Sequence, residues 1–187
     1  MTAVADGVRV REARDEYLAR NGLTVAGYTE KWAKIMVGPL PVFIPNTAAR
    51  KRALPLHDLH HVVTEYATSY RGEAEIAGWE LAGGCGDYHA ARGLNTVAFG
   101  IGLVIAPRAT YRAFMRGRRS RTLYTGLDPD ELLELTVGEL RHELGLDRAA
   151  GVPTVRDKLW FAAWCAVIAA LVGLPIALAL TVWSAIS

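Results

Sequence analysis

The sequence predicts a mainly α protein. It reads as a helical bundle-like domain over residues 1–146 with a minor extended or hairpin segment near 31–45, a linker at 147–158 and one C-terminal transmembrane helix at 159–186. Three observations lead there. Apolar residues recur at helical spacing through most of the first 145 positions. Between Leu23 and Asn46 that period fades, and prolines break up two apolar runs. From Leu159 to Ser187 there is no charged residue, a longer stretch than the ~20 residues that cross a bilayer.

Composition sets the outer bounds. A chain of 187 residues suits one domain of roughly 100–150 residues with an appendage. A net charge of +2 gives little support to a nucleic-acid partner. Cys85 and Cys165 make neither a disulfide framework nor a Cys-x-x-Cys pair. Met1 to Val10 is polar and lacks the apolar core of a signal peptide. Arg156 and Lys158 precede the apolar tail and nothing basic follows, so the positive-inside rule places the N-terminal body in the cytoplasm behind a single-pass C-terminal anchor. Trp160, Trp164 and Trp183 fit interfacial belts, and Gly173 and Pro175 are tolerated in such a span.

Taken in order, Val8, Val10, Ala13, Tyr17 and Leu18 predict a short amphipathic helix that Asn21-Gly22 ends. Residues 32–37 and 41–45 flank Gly38-Pro39 as two extended segments, with Pro39, Pro41 and Pro45 arguing against regular pairing. Thr47 is expected to cap a short helix through Leu54, and Pro55 to open the next, running from about Leu56 to Ser69. A further helix is expected from Glu73 to Ala82, ending at Gly83-Gly84. Residues 94–106 are almost wholly apolar, too short to span a bilayer, and lead into a run holding Arg108, Arg112, Arg116, Arg118, Arg119 and Arg121. Two readings stand: a buried core helix followed by a solvated basic one, or a membrane-facing surface with Tyr111, Phe114 and Met115 at the interface. Asp128-Pro129-Asp130 opens a last helix with a strong leucine stripe, closed by Gly145.

The chemistry concentrates in His57-Asp58-Leu59-His60-His61 and in Glu73, twelve positions after His61. His57 and His61 stand one turn apart on a helix and project from one face, which lets two imidazoles share a cation. A straight helix would carry Glu73 about 18 Å beyond His61, so Glu73 reaches the pair only if the chain turns back. Tyr70-Arg71-Gly72 is the expected place for that turn. Glu65 lies about 12 Å from His57 along one helix, His60 points about 100° away from His61, and His89 depends on the fold. The same residues also fit hydrogen-bonded structural histidines and a dipole-satisfying aspartate.

The pattern H-D-x-x-H-x11-E formed by His57, Asp58, His61 and Glu73, with Tyr66 and Arg71-Gly72-Glu73-Ala74 around it, resembles the signature of the coenzyme Q biosynthesis protein 4 family. The resemblance is strongest over residues 45–85 and extends over about 10–145. It implies a mainly helical fold and a divalent metal, zinc or alternatively iron or another ion, held by His57, Asp58, His61 and Glu73. It implies action on a polyprenylated benzenoid precursor, with loss of the C1 carboxyl and hydroxylation there, and a scaffolding role among quinone-biosynthesis enzymes. The expected partners are an isoprenoid lipid substrate, the membrane, other quinone-biosynthesis enzymes and a second copy of the chain as a homodimer. The apolar tail and the Gly83-Gly84-Cys85-Gly86 segment depart from the family pattern. Two further functions are open: a non-catalytic lipid-binding scaffold whose metal only fixes the helix pair, and a metal-dependent hydrolase with Asp58 or Glu73 activating water.

Overall fold

The computed structural model describes residues 4–37, 40–126, 129–148 and 151–186, with side chains left out also at 35–37, 129–130 and 174–186. The chain divides into two compact units, Met1–Ala150 and Gly151–Ser187.

The first unit is helical with one small antiparallel hairpin, as the sequence predicts. Helix α1 (Val10–Arg20) buries Val10, Ala13, Tyr17 and Leu18 and ends at Asn21. A 3-10 turn, Val25–Tyr28, follows, then strands β1 (Trp32–Val37) and β2 (Leu40–Pro45). The prolines do not prevent pairing: Trp32 faces Pro45, and Met36 faces Pro41, in one continuous register. The Asn46 N–H bonds the Lys31 carbonyl, so even-numbered β2 residues donate across the ladder. Pro41 and Pro45 thus occupy positions whose missing N–H would point outward.

Helix α2 (Ala48–Thr64) begins at Thr47, whose hydroxyl accepts from the Arg50 N–H. It runs through Pro55 without a break, so the two helices expected on either side of that proline are one. Burial of Ala53, Leu56, Leu59, Val62 and Val63 offsets the hydrogen bond that Pro55 removes. The helix stops at Thr64, five residues earlier than expected, because Glu65 adopts the left-handed conformation (φ 65°). Helix α3 (Tyr70–Gly83) starts from a Ser69 cap. The reversal therefore occupies residues 65–69, and Gly72 sits inside α3 instead of terminating a helix. A Cβ at Gly72 would collide with the Ala67 backbone, so its missing side chain lets the first turn of α3 lie against the reversal.

Helix α3 is the central element and packs on α4 (His89–Ile105) and α5 (Pro107–Gly117). Trp79, Ile76, Phe99 and Phe114 are fully buried there, with the two phenylalanine rings 5.8 Å apart. Gly117 meets the Trp79 carbonyl, which brings α5 and α3 close. The 94–106 segment is neither wholly core nor wholly surface. Ala91, Asn95, Phe99 and Gly102 face inward, whereas Leu94, Val97, Ile101, Val104 and Ile105 are exposed. Phe114 and Met115 are buried, so of the three apolar residues expected at a membrane interface they line the core.

The expected last helix divides into α6 (Pro129–Leu132) and α7 (Val137–Leu144); Asp128 lies outside the described residues. A capping box of Thr136 and Glu139 starts α7 and competes with helix continuation at 133–136. Hydrogen bonds from Val10 to the Leu135 carbonyl and from Val137 to the Val8 carbonyl join the N-terminus to this turn. Gly145 ends α7 at φ 71°.

In the second unit, α8 runs from Val155 to Ile186. Thr154 and Asp157 cap it reciprocally, so residues 155–158 are helical instead of linker. Among the described residues no helix is long and apolar enough to cross a membrane. The side chains of 174–186, the second half of the expected span, lie outside the described residues.

Candidate metal centre

The reversal after α2 brings Glu73, in the first turn of α3, against His57 and His61 on α2. The Nε2 atom of His57 lies 3.5 Å from Glu73 Oε2, and that of His61 lies 3.3 Å from Glu73 Oε1. One ligand atom from each of the three residues falls within 4.8 Å of the others. The two imidazoles meet edge to face, with centroids 4.9 Å apart.

Hydrogen bonds behind the rings aim both Nε2 atoms into this cluster. His61 Nδ1–H donates to the Tyr66 carbonyl at 2.9 Å, leaving Nε2 to face Glu73. His57 Nδ1–H donates to Glu80 Oε1 at 2.8 Å. His61 Nε2 is the single buried side-chain nitrogen or oxygen without a hydrogen-bond partner among the described residues. An orphaned buried imidazole nitrogen is costly unless it has a ligand. Around a tetrahedral zinc with bonds of 2.0–2.1 Å, neighbouring donor atoms stand about 3.3 Å apart. Each Nε2 stands near that distance from a different Glu73 oxygen, His61 3.3 Å from Oε1 and His57 3.5 Å from Oε2, longer than a good hydrogen bond, and single donor atoms of the three residues lie within 4.8 Å of one another. The residues present therefore fit a divalent ion.

Asp58 stands apart from this group. Its carboxylate accepts from Tyr28 Oη at 2.8 Å and from Tyr17 Oη at 3.5 Å, and the Tyr17 ring stacks on His61 at 5.6 Å. The structure thus brings together His57, His61 and Glu73, with Asp58 in the adjoining tyrosine-lined layer. His60 belongs to a third layer. Its Nε2 accepts the Leu123 N–H at 2.8 Å and its Nδ1–H donates to Glu80 at 2.7 Å, so both ring nitrogens are used. Glu65 turns away to Arg141 at 2.6 Å, and exposed His89 opens α4. Both lie outside the cluster, as spacing predicts for Glu65 and as the fold decides for His89.

The electrostatics follow from this packing. Burial pulls the His57 imidazole down, but the Glu80 and Glu73 carboxylates outweigh it and raise it well above 6.5. Burial pushes Glu73 up, but the His57 and His61 imidazoles beside it pull it down to about 2. Burial raises Asp58 above the usual carboxylate range despite the nearby imidazoles. Burial also lowers His60, against the pull of Glu80. Glu73 keeps 40% of its side chain exposed, so the cluster opens to solvent on that side. With two imidazoles and one carboxylate available, an ion here would keep at least one coordination position for another ligand.

Glu80, Tyr17 and Tyr28, which touch His57, His61 or Asp58, are absent from the site read from sequence. Glu80 carried a readable signal: it is an acidic residue within the apolar run Ile76-Ala77-Gly78-Trp79-Glu80-Leu81, two turns from Glu73. The tyrosines carried none, since they come from distant segments. Comparison with family models, characterised proteins and solved structures gives no match for this chain.

Proposed function

We propose that the chain is a metal-dependent enzyme of isoprenoid-quinone biosynthesis, as its resemblance to the coenzyme Q biosynthesis protein 4 family implies. Its proposed reaction is the C1 oxidative decarboxylation of a polyprenylated benzenoid acid: the C1–carboxyl bond breaks to release CO2, a C1–hydroxyl bond forms, and dioxygen from solution takes up the two electrons. The observation that carries the metal part is the buried His61 Nε2, aimed beside His57 Nε2 at the Glu73 carboxylate without a hydrogen-bond partner. His57, His61 and Glu73 would hold the ion, with Asp58 either adjoining it or completing the set. When bound, a divalent ion supplies Lewis acidity toward a substrate carboxylate or phenolate oxygen.

The residues around the ion do the remaining work. Tyr66 fixes the His61 imidazole from behind, so its Nε2 is oriented before any ligand arrives. Tyr17 packs over one face of His61 and limits water there. Asp58, held by Tyr17 and Tyr28, lies within one layer of the ligand atoms and is buried. The open side at Glu73 is where a substrate headgroup would enter.

An isoprenoid substrate calls for a lipid-facing surface. The exposed apolar residues Leu94, Val97, Ile101 and Val104 on α4, followed by exposed Arg108 and Arg112, support one. The uncharged stretch from Leu159 to Ser187 supports the C-terminal membrane anchor, with the N-terminal body on the cytoplasmic side. The lipid-binding scaffold remains the second reading, because the same α4 face suits it.

The test is carboxyl release. The full chain in detergent should liberate labelled CO2 from a prenylated ring acid, and His61→Ala should not. Equal release by both proteins would remove the enzyme reading. Retained cellular quinone synthesis with His61→Ala would favour the scaffold.

A further inference from the structure

We propose that Glu80 is a positioning residue of the metal centre, whose carboxylate holds His57 with Nε2 facing Glu73 and His61. The proposal rests on the metal reading above and adds a residue to it.

Glu80 is fully buried in the last turn of α3, where a carboxylate survives only if it is well paired. Four donors from three other parts of the chain surround it. His57 and His60 of α2 give their Nδ1 protons to Oε1, at 2.8 and 2.7 Å. Asn95 of α4 donates to Oε2, as does Tyr124 Oη at 3.2 Å.

The protons in this knot are determined in sequence. The Leu123 backbone N–H donates to His60 Nε2, so that nitrogen carries no proton in the neutral ring and Nδ1 must. Glu80 Oε1 therefore already receives a proton from His60 and acts as an acceptor toward His57. With the Asn95 amide donating to Oε2 as well, the carboxylate accepts on both sides. His57 must then donate through Nδ1, and its Nε2 lone pair is left for the cluster.

The two ligand imidazoles are thus oriented by different means. His61 rests on a neutral backbone carbonyl, Tyr66, whereas His57 rests on a charge. A carboxylate behind a ligating imidazole makes it a stronger donor. It also places a negative charge behind the ring that faces the ion. The hydrogen bonds among His60, Asn95, Tyr124 and Glu80 could hold the core together without His57. The added contact to His57 is what ties that knot to the cluster.

The experiment compares zinc affinity, measured against a chromophoric chelator, in the full-length wild type, Glu80→Gln and Tyr124→Phe. Cobalt absorption serves as a second readout. Glu80→Gln keeps the volume but removes the charge and one acceptor; Tyr124→Phe removes a donor on the side away from His57. Glu80→Gln should bind zinc roughly 10–100-fold more weakly with altered cobalt bands, and Tyr124→Phe should stay close to wild type in both. Wild-type affinity in Glu80→Gln, or equal weakening in both variants, would overturn the proposal while leaving the metal reading intact. Failure of the wild type to bind zinc would remove the metal reading itself. Should Glu80→Gln not fold, proton NMR of the zinc-loaded wild type with labelled histidine decides. A slowly exchanging, downfield His57 Nδ1–H supports the proposal, and its absence overturns it.

Discussion

Replacing Gly72 with alanine tests whether the centre depends on the close approach of α3 to the chain reversal. A Cβ there runs into the Ala67 backbone, and neither partner is the flexible end of a side chain. The first turn of α3 must then back away by on the order of 1 Å, and overpacking of this kind costs about 1–3 kcal/mol. For a chain of this size each kcal/mol lowers Tm by about 2–4 °C, so a loss of about 4–8 °C is expected for a mid-range effect. Glu73 is the adjacent residue, and metal sites tolerate only about 0.2 Å of error in their bond lengths. Gly72→Ala should therefore also weaken zinc binding by at least roughly tenfold. Gly93 provides the matched control. It lies inside α4 with nothing within 4 Å of a Cβ, and alanine is the better helix former by about 0.5–1 kcal/mol. Gly93→Ala should raise Tm by about 1–4 °C and leave zinc binding unchanged. Thermal melts followed by tryptophan fluorescence, with zinc titrations beside them, read both effects. A Gly72→Ala protein with wild-type Tm and zinc affinity would refute the reasoning.

Other expectations follow from the same geometry. Glu73→Gln should lower zinc occupancy in equilibrium dialysis, whereas Glu65→Gln should not, because Glu65 is engaged with Arg141; equal losses would mean the ligand set is wrong. Thr136→Ala removes the capping hydroxyl of α7 and should cost about 1 kcal/mol by urea unfolding, without altering zinc binding. In the metal-free chain, His57 is raised above 6.5. The stability it adds is fully present below pH 6.5 and is lost as pH rises through the folded-state value. Glu73 is lowered from 4.5 to about 2, so its contribution is present above pH 4.5 and is lost as pH falls toward 2. In chelator-treated protein these two contributions together are largest between about pH 4.5 and 6.5, and zinc removes the His57 part by displacing its proton; His60, lowered by burial, works the other way. The stability advantage of metal-free wild type over His57→Gln should therefore shrink in calorimetry as pH rises above 6.5, and an advantage that grows between about pH 6.5 and 8 would contradict this.

Much of the centre was legible because it rests on local periodicity. His57 and His61 had to share a face, Glu73 needed a reversal, Glu65 lay too far along the helix from His57, and His60 pointed elsewhere. The reversal itself was misplaced because glycine was read as a terminator. Here a non-glycine residue, Glu65, takes the left-handed turn, and Gly72 serves as a contact surface. Pro55 misled in a similar way: tertiary burial of the α2 apolar face outweighs one missing hydrogen bond. The paired prolines of β2 were tolerated because both strands are edges. Asp58 illustrates what spacing leaves open. Its position beside His57 is equally consistent with ligation and with the tyrosine hydrogen bonds it makes, and Tyr17 and Tyr28 reach it from segments that carry no sequence signal of one another. The half-exposed face of α4 was ambiguous because a uniformly apolar run has no period from which to read its buried side.

The central claim is that His57, His61 and Glu73 form a metal centre, and the most direct measurement is a cobalt titration of the full-length chain followed by visible absorption. The account predicts one ion per chain, with ligand-field bands of a site bound through nitrogen and oxygen, and their loss in His61→Ala. A featureless titration, or identical spectra from the wild type and His61→Ala, would contradict it.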